Sequence, residues 1–263
     1  MVVFMKMQAR NDAVSSVYDF CNKHNKDKFC VVIPVYNHAR TVAEVARQAL
    51  KLNMPVFIVD DGSSDGTYVR VKNLKGVRVL RHGRNLGKGA ALMTGFAEAV
   101  KAEMNWAVTL DADGQHDPMD AVSMMMAIPE GSRPVIVGTR IGMIGGNVPW
   151  TSRFGRKFSN FWVLMSGGPK MSDSQSGFRI YPLPEALDLK IASRRFQYEV
   201  EILVKAGWKG ISVVEVPIGV SYHPFGKRIS HFRPFVDFVR NSSTFTRLIV
   251  QRIFIPISYR KKQ

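Results

Sequence analysis

The chain has 263 residues, enough to bury one sizeable core and near the size at which single cores stop growing. Its hydrophobic content of 46% excludes a disordered chain as the default, and 37 Lys+Arg against 21 Asp+Glu leave a formal net charge of +16, which favours an anionic partner: nucleic acid, acidic lipid or a phosphorylated substrate. Cys21 and Cys30 are too few for a disulfide framework, residues 1–10 lack the pattern of a cleaved leader, and no stretch reaches about 18 uninterrupted apolar residues, so a cytoplasmic protein, peripheral to a membrane if it meets one, is expected.

Residues 1–28 read as a polar lead-in with a short helix over 13–23. The apolar, β-branched run 29–35 (FCVVIPV) predicts a buried parallel strand. A helix is predicted over 41–52, with Thr41 as N-cap and Glu44 completing a capping box. A second strand over 55–59 runs into the acidic turn Asp60-Asp61-Gly62-Ser63. Then come a strand over 77–80, a helix over 89–103, and a strand over 106–110 ending in Asp111-Ala112-Asp113. A helix over 118–128 and a strand over 135–137 continue the alternation, which predicts right-handed βαβ crossovers and a Rossmann-like, mostly parallel sheet with helices on both faces.

After residue 140 the texture changes. The stretch 141–168 is rich in Gly, Arg and aromatics and predicts a loop leading into a helix; Phe196–Glu201 reads as helical, Val213–Val216 as a late strand, and 234–253 as an apolar helix studded with arginines. The organisation expected is a lead-in over 1–28, one α/β domain over 29–225, and a basic amphipathic extension over 226–263.

In open parallel sheets ligands bind beyond the carboxyl ends of the strands. Three polar loops fall there: Pro34-Val35-Tyr36-Asn37, Asp60-Asp61 and Asp111-Ala112-Asp113. Two carboxylates one residue apart in a turn can share a hard divalent cation, Mg²⁺ or Mn²⁺, that takes oxygen ligands and bridges to substrate phosphates; Gln115 and His116 stand close enough to complete or orient the shell. The bland account of the same residues is an acidic turn capping the next helix. Asp61 is a candidate for accepting hydrogen bonds from a base or ribose, while Asp65 has the spacing of a structural cap. Asn85-Leu86-Gly87-Lys88-Gly89 precedes a helix, and its backbone NH groups and Lys88 can meet phosphate; close helix packing explains the glycines equally well. The spacing is not that of a Walker loop, and no G-x-G-x-x-G follows the first strand, which argues against a dinucleotide oxidoreductase.

In order along the chain, VVIPVYN (31–37), VDDGSSDGT (59–67), NLGKG (85–89), DADGQHDP (111–118), GTR (138–140), DSQSGFR (173–179) and EVPI (215–218) resemble the family 2 glycosyltransferases with the GT-A fold, and within them the polyprenyl-phosphate branch typified by dolichol-phosphate mannose synthases. The resemblance covers residues 30–220. It implies that Pro34, Tyr36, Asn37, Asp60, Asp61, Lys88, Asp111 and Ala112 hold the nucleotide sugar, and that Asp111, Asp113 and Gln115 surround the metal. It further implies that Arg140, Arg153, Arg156 and Lys157 meet an acceptor phosphate, and that Lys227 and Arg228, in a late basic loop, close over the donor diphosphate. Thr139 stands where serine is usual, and the Q-x-x-R-W motif of processive synthases is absent.

The reaction so implied moves a sugar from a nucleotide diphosphate sugar, such as GDP-mannose or a UDP-sugar, to an acceptor oxygen with inversion. A polyprenyl phosphate acceptor is already anionic and needs no strong base; a hydroxyl acceptor needs a carboxylate, for which Asp173 and Glu199 are the candidates beside Asp113 and Arg228 in the catalytic set. Arg233, Arg240 and Arg247, seven apart, would share one helix face above the basic tail Arg260-Lys261-Lys262, so an anionic membrane surface is a further expected partner. No nucleic-acid motif is present, and carboxylates at the strand ends would repel a phosphate backbone, so nucleic acid is not expected.

Overall fold

The computed structural model describes residues 28–140, 150–219 and 234–256. Among them the strands are β1 (Phe29–Val35), β2 (Val56–Asp60), β3 (Val77–Arg81), β4 (Trp106–Thr109), β5 (Val135–Arg140), β6 (Arg179–Pro182) and β7 (Val213–Ile218). The helices are α1 (Val42–Leu50), α2 (Thr67–Val71), α3 (Lys88–Lys101), α4 (Asp120–Met126), α5 (Trp150–Met165), α6 (Glu185–Asp188), α7 (Tyr198–Lys209) and α8 (Pro234–Phe254). All the strands join one sheet in the order β3-β2-β1-β4-β6-β5-β7. Pairing is parallel except at β6, which runs antiparallel to both β4 and β5.

The seven residues of β1 are all buried because the strand is covered on both faces. Alternate side chains point to opposite faces. Val31, Ile33 and Val35 join the core formed with Val45, Ala46 and Ala49 of α1 and with Met124 and Met125 of α4. Cys30 and Val32 join the other core, with Leu92 and Phe96 of α3, Leu203 of α7 and Phe245 and Leu248 of α8. Burial pushes the Cys30 thiol up to about 12, so it behaves as a small apolar group rather than a nucleophile.

The predicted βα alternation is present through β5, with boundaries shifted by up to three residues, the most at β5, which runs on to Arg140. The capping box does not form. The Thr41 hydroxyl donates instead to the Ala112 carbonyl at 2.5 Å, and Glu44 pairs along the helix with Gln48 and Arg47, because a buried carbonyl near Thr41 competes better than a solvated first turn. β6 is the one strand that the periodicity did not show. It has four residues, carries an arginine in an apolar run, and its antiparallel insertion between β4 and β5 is a tertiary choice. The expected helix over 13–23 and the loop over 141–149 lie outside the described residues; the helix that follows that loop is α5.

Candidate active site

The loops after β1, β2 and β4 converge, and the chain braces them with its own hydrogen bonds. Asn37 adopts left-handed backbone (φ 53°), its NH donates to Ser63 Oγ at 2.9 Å, and its side-chain oxygen accepts from Ser64 NH at 2.9 Å. Asp65 accepts from Ala39 NH and Thr67 NH and so braces the turn, but the N-cap of α2 is Gly66, and the side-chain cap that the spacing suggested does not form. The buried Asp60 accepts from Ser63 NH at 2.9 Å and pairs with Arg81. Asp61, also buried, takes His82 Nδ1 at 2.7 Å, Leu86 NH at 2.8 Å and Gly87 NH at 2.7 Å, so it pins the glycine-rich loop beside the β2 end.

That loop turns into α3 against the segment 193–198. Gly87 (φ 106°) lies so near Arg194 that a Cβ there would come within 2.4 Å of its carbonyl oxygen, and Ala90 NH donates to the same carbonyl at 2.9 Å. Gly87 NH and Ala90 NH are therefore spent on the protein itself, which favours the packing account of these glycines. Lys88 is the group delivered to the crevice. Its ammonium contacts Asp111 Oδ1 at 2.5 Å and Glu199 Oε1 at 2.6 Å, joining the β4 loop to the first turn of α7. Burial works against the Lys88 charge, but Asp111 and Glu199 more than offset it and hold the ammonium above the usual lysine range.

Asp111 and Asp113 differ in electrostatic position. Burial opposes ionisation of Asp111, and Lys88 outweighs it, so its carboxyl is held low. Burial and the neighbouring Asp111 charge push the Asp113 carboxyl up. Asp113 accepts only the turn bond from Gln115 NH, at 3.1 Å, among the described hydrogen bonds. Two crowded carboxylates with a carbonyl-bearing side chain two residues on form a hard oxygen donor set, and a divalent cation would relieve their repulsion. Among the described residues no cluster of three or more His, Cys, Asp or Glu forms an all-protein cage. The pair thus suits Mg²⁺ or Mn²⁺, which retain waters and substrate phosphates. The His116 ring packs tilted against Phe178 with centroids 5.4 Å apart, and burial holds its imidazole below the usual histidine range.

Across the crevice Arg140, at the end of β5, grips the buried Asp173 with two bonds, Nε to Oδ2 at 2.7 Å and Nη2 to Oδ1 at 2.9 Å. Burial alone would raise the Asp173 carboxyl; Arg140, reinforced by the charge of Arg156, brings it below the usual range. Glu215 of β7 fixes the same turn by accepting from Ser172 NH at 2.8 Å and Asp173 NH at 3.2 Å, while Asn160 of α5 accepts from Ser174 NH at 2.9 Å.

Comparison with known proteins bears on the family and the fold. The family model described as "Glycosyl transferase family 2" matches residues 30–183, more than half of the chain. The chain belongs to that family. It is a glycosyltransferase, and it has the GT-A fold. The transferase is 31% identical over 213 residues to a UDP-N-acetylglucosamine–dolichyl-phosphate N-acetylglucosaminyltransferase of Methanococcus voltae, covering 73% of this chain and 85% of that one. It is 28% identical over 209 residues to a polyprenol monophosphomannose synthase of Mycolicibacterium smegmatis, covering 74% and 78%. A glucosyl-3-phosphoglycerate synthase from Mycobacterium tuberculosis, solved with Mn²⁺, UDP and phosphoglyceric acid, superposes with a TM-score of 0.68 at 18% identity over 91% of this chain and 83% of that one. Relatives of the transferase thus include the polyprenyl-phosphate branch that its motifs resemble.

Of the residues expected in the site, Tyr36, Asn37, Asp61, Asp111, Ala112, Asp113 and Gln115 lie on the converging loops, Lys88 opens α3, and Pro34 and Asp60 are buried at the strand ends that carry those loops. Arg140, Arg156, Asp173 and Glu199 line the opposite side. Lys157 is exposed on α5. Lys227 and Arg228 lie outside the described residues, as does the side chain of Arg153. The expected arginine face of the C-terminal helix divides: Arg240 is exposed, Arg247 turns to the buried Glu201 at 2.7 Å because that carboxylate needs a cation, and Arg233 lies outside the described residues. Sequence reasoning assigned no role to His82, which steadies Asp61, or to Arg179, wholly buried beneath the 174–177 turn. The signal for Arg179 was available as a lone charge in the apolar run FRIYP.

Proposed function

We propose that the transferase moves a sugar, with inversion and with a divalent metal, from a nucleotide diphosphate sugar to a polyprenyl phosphate at the cytoplasmic face of a membrane. The observation that carries this reading is the state of the two base candidates. Asp173 is bound by both arms of Arg140, and Glu199 is bound by Lys88, so each would have to leave a cation before it could accept a proton. A hydroxyl acceptor needs such a base; a phosphate monoester arrives ionised. Arg140 and Arg156, converging on one turn, are suited to a doubly charged phosphate head. The dolichyl-phosphate and polyprenol transferases among the relatives support the same acceptor class.

On the donor side Tyr36, Asn37 and Asp61 would hold the nucleoside, and Lys88 would meet the charge that develops on the departing diphosphate. Asp111, Asp113 and Gln115 would hold Mg²⁺ or Mn²⁺. That ion supplies Lewis-acid neutralisation of the leaving group. The Mn²⁺ and UDP bound by the structural neighbour support this choice.

The membrane reading rests on α5 and α8, which pack side by side through Phe158, Trp162, Phe238 and Phe245. Phe245 and Leu248 anchor α8 in the core, while Phe154, Phe161, Leu164 and Met165 of α5 and Phe238, Val239, Val250, Ile253 and Phe254 of α8 remain exposed. So much apolar surface on a chain of net charge +16 suits the interface of an anionic bilayer. Among the described residues no helix is long and apolar enough to cross a membrane.

The test is transfer of label from a panel of UDP- and GDP-sugars into polyprenyl phosphate with Mn²⁺ or Mg²⁺. Metal-dependent labelling of the lipid supports the reading. Donor hydrolysis without lipid product removes the acceptor and leaves the transferase; efficient labelling of a glycolipid or polysaccharide hydroxyl instead would replace it.

A further inference from the structure

We propose that Arg179 is the positioning residue of this transfer: from its buried place in β6 its guanidinium ties the 174–177 turn to the first turn of α7, and so sets the Asp173–Arg140 and Glu199–Lys88 pairs relative to Asp111. The proposal rests on the reading that acceptor phosphate is met at Arg140.

Arg179 is 0% exposed. Nε donates to the Ser176 carbonyl at 2.7 Å, Nη2 to the Ser174 carbonyl at 2.8 Å, and Nη1 to the Glu199 carbonyl at 2.8 Å and to Tyr181 Oη at 3.2 Å. All four oxygens are neutral. A buried charge held by neutral oxygens is costly, and an apolar residue would serve a purely structural strand better. What the guanidinium supplies is reach: a rigid fork can hold three carbonyls from two chain segments at once, which a lysine ammonium on one atom cannot.

Those segments carry the reactive side chains. Asp173 immediately precedes Ser174, and Glu199 supplies both the carbonyl bound by Arg179 and the carboxylate bound by Lys88. Gly177 ends the turn, where an added Cβ would lie 2.5 Å from Asp111 Oδ2 and 2.6 Å from Lys88 Nζ. A small shift of the turn therefore reaches Asp111, Lys88, Asp173 and Arg140 together. The nucleoside-side residues Tyr36, Asn37 and Asp61 are braced by other bonds and do not depend on it.

The experiment compares the full chain with Arg179→Lys and Tyr181→Phe, reading kcat and KM for polyprenyl phosphate and, separately, Kd for metal-free UMP and GMP, which reads the nucleoside side without the metal or the terminal phosphate. Misplacement of the pairs predicts that Arg179→Lys loses about 10²-fold in kcat/KM while nucleotide affinity stays within about threefold. Tyr181→Phe, which removes one weak contact and keeps the charge, should lose about three- to tenfold in the same direction. An Arg179→Lys enzyme with near-wild-type kcat/KM, or one that loses nucleotide affinity in proportion to turnover, overturns the proposal. Should Arg179→Lys fail to fold by circular dichroism, Tyr181→Phe decides: a selective loss supports the positioning role and unchanged kinetics reject it. If the wild type labels no lipid phosphate, the acceptor reading fails by itself, and the same ratio is then read on metal-dependent donor hydrolysis.

Discussion

Around Asp61 the chain spends backbone NH groups to fix its loops: Leu86 and Gly87 donate to Asp61, Ser64 to Asn37 beyond β1, and Ser63 back to Asp60 of its own strand. Around α5 and α8 it does the reverse. There, large apolar side chains stay in water, with Phe154 55% and Phe254 76% exposed, and a few charged joints such as Arg247–Glu201 attach the layer to the core. The first region has little freedom left and suits a ligand of fixed shape, a nucleotide. The second keeps more apolar surface than the singly scattered groups of an ordinary surface, and a lipid could cover it. Between them stands the line of carboxylate–cation pairs, Asp111–Lys88–Glu199 and Asp173–Arg140, where donor and acceptor would meet.

The sharpest break in this contrast is Asp113→Ala. It should cost about 10³-fold in transfer, because it removes one of two carboxylates proposed for the metal, while α5, α8 and vesicle binding stay as they are. Rates measured over a Mn²⁺ titration check it; loss of vesicle binding in parallel would mean that the two regions are not separate. Arg140→Lys comes next. One ammonium cannot reproduce the two bonds to Asp173, and about 10²-fold should be lost from kcat/KM for lipid phosphate with Mn²⁺–UDP and Mn²⁺–GDP affinity unchanged.

Arg247→Met tests the joint between the regions. Glu201 is wholly buried and also accepts from Ala192 NH and Ser193 NH, so removing its half-exposed partner should destabilise the fold by about 1–3 kcal/mol, visible in urea unfolding. Burial raises the Glu201 carboxyl, but Ser193, Ala192 and Arg247 bring it below the usual glutamate range. Because the group titrates lower folded than unfolded, its contribution is complete above the unfolded value, near 4.3, and is lost as pH falls toward the folded one. The wild type should therefore lose more stability than Arg247→Met between pH about 5 and 3. The smallest effect is expected from Phe161→Ser with Phe254→Ser: about tenfold weaker partitioning to anionic vesicles and no change with a short-chain, water-soluble acceptor. An equal loss on both acceptors would place these residues in the chemistry instead.

Much of the donor side was legible in the residues alone. A fully buried strand reads as a continuous apolar run, so β1, β2 and β4 announced themselves, and the polar residues that end them had to lie at the carboxyl edge of the sheet. The acceptor side was less legible. Arg140, Asp173 and Glu199 were picked out singly, yet nothing in their spacing said that Arg140 would close on Asp173 or Lys88 on Glu199. Those pairs join residues 33 and 111 positions apart. Arg179 went without a role for the same reason, since its partners are carbonyls, which every residue has and no sequence pattern marks.

Period and composition by themselves determined an α/β chain with carboxylates at its strand ends and a basic, amphipathic C-terminal helix, because local sterics and the division of apolar from polar side chains act over a few residues. The tertiary structure alone decided that β6 enters the sheet antiparallel, that Arg247 turns inward, and that each base candidate already holds a cation. The strand's direction is set by long-range pairing, and the other two outcomes depend on which charges burial brings within 3 Å of one another, since a buried carboxylate takes whichever cation the fold delivers.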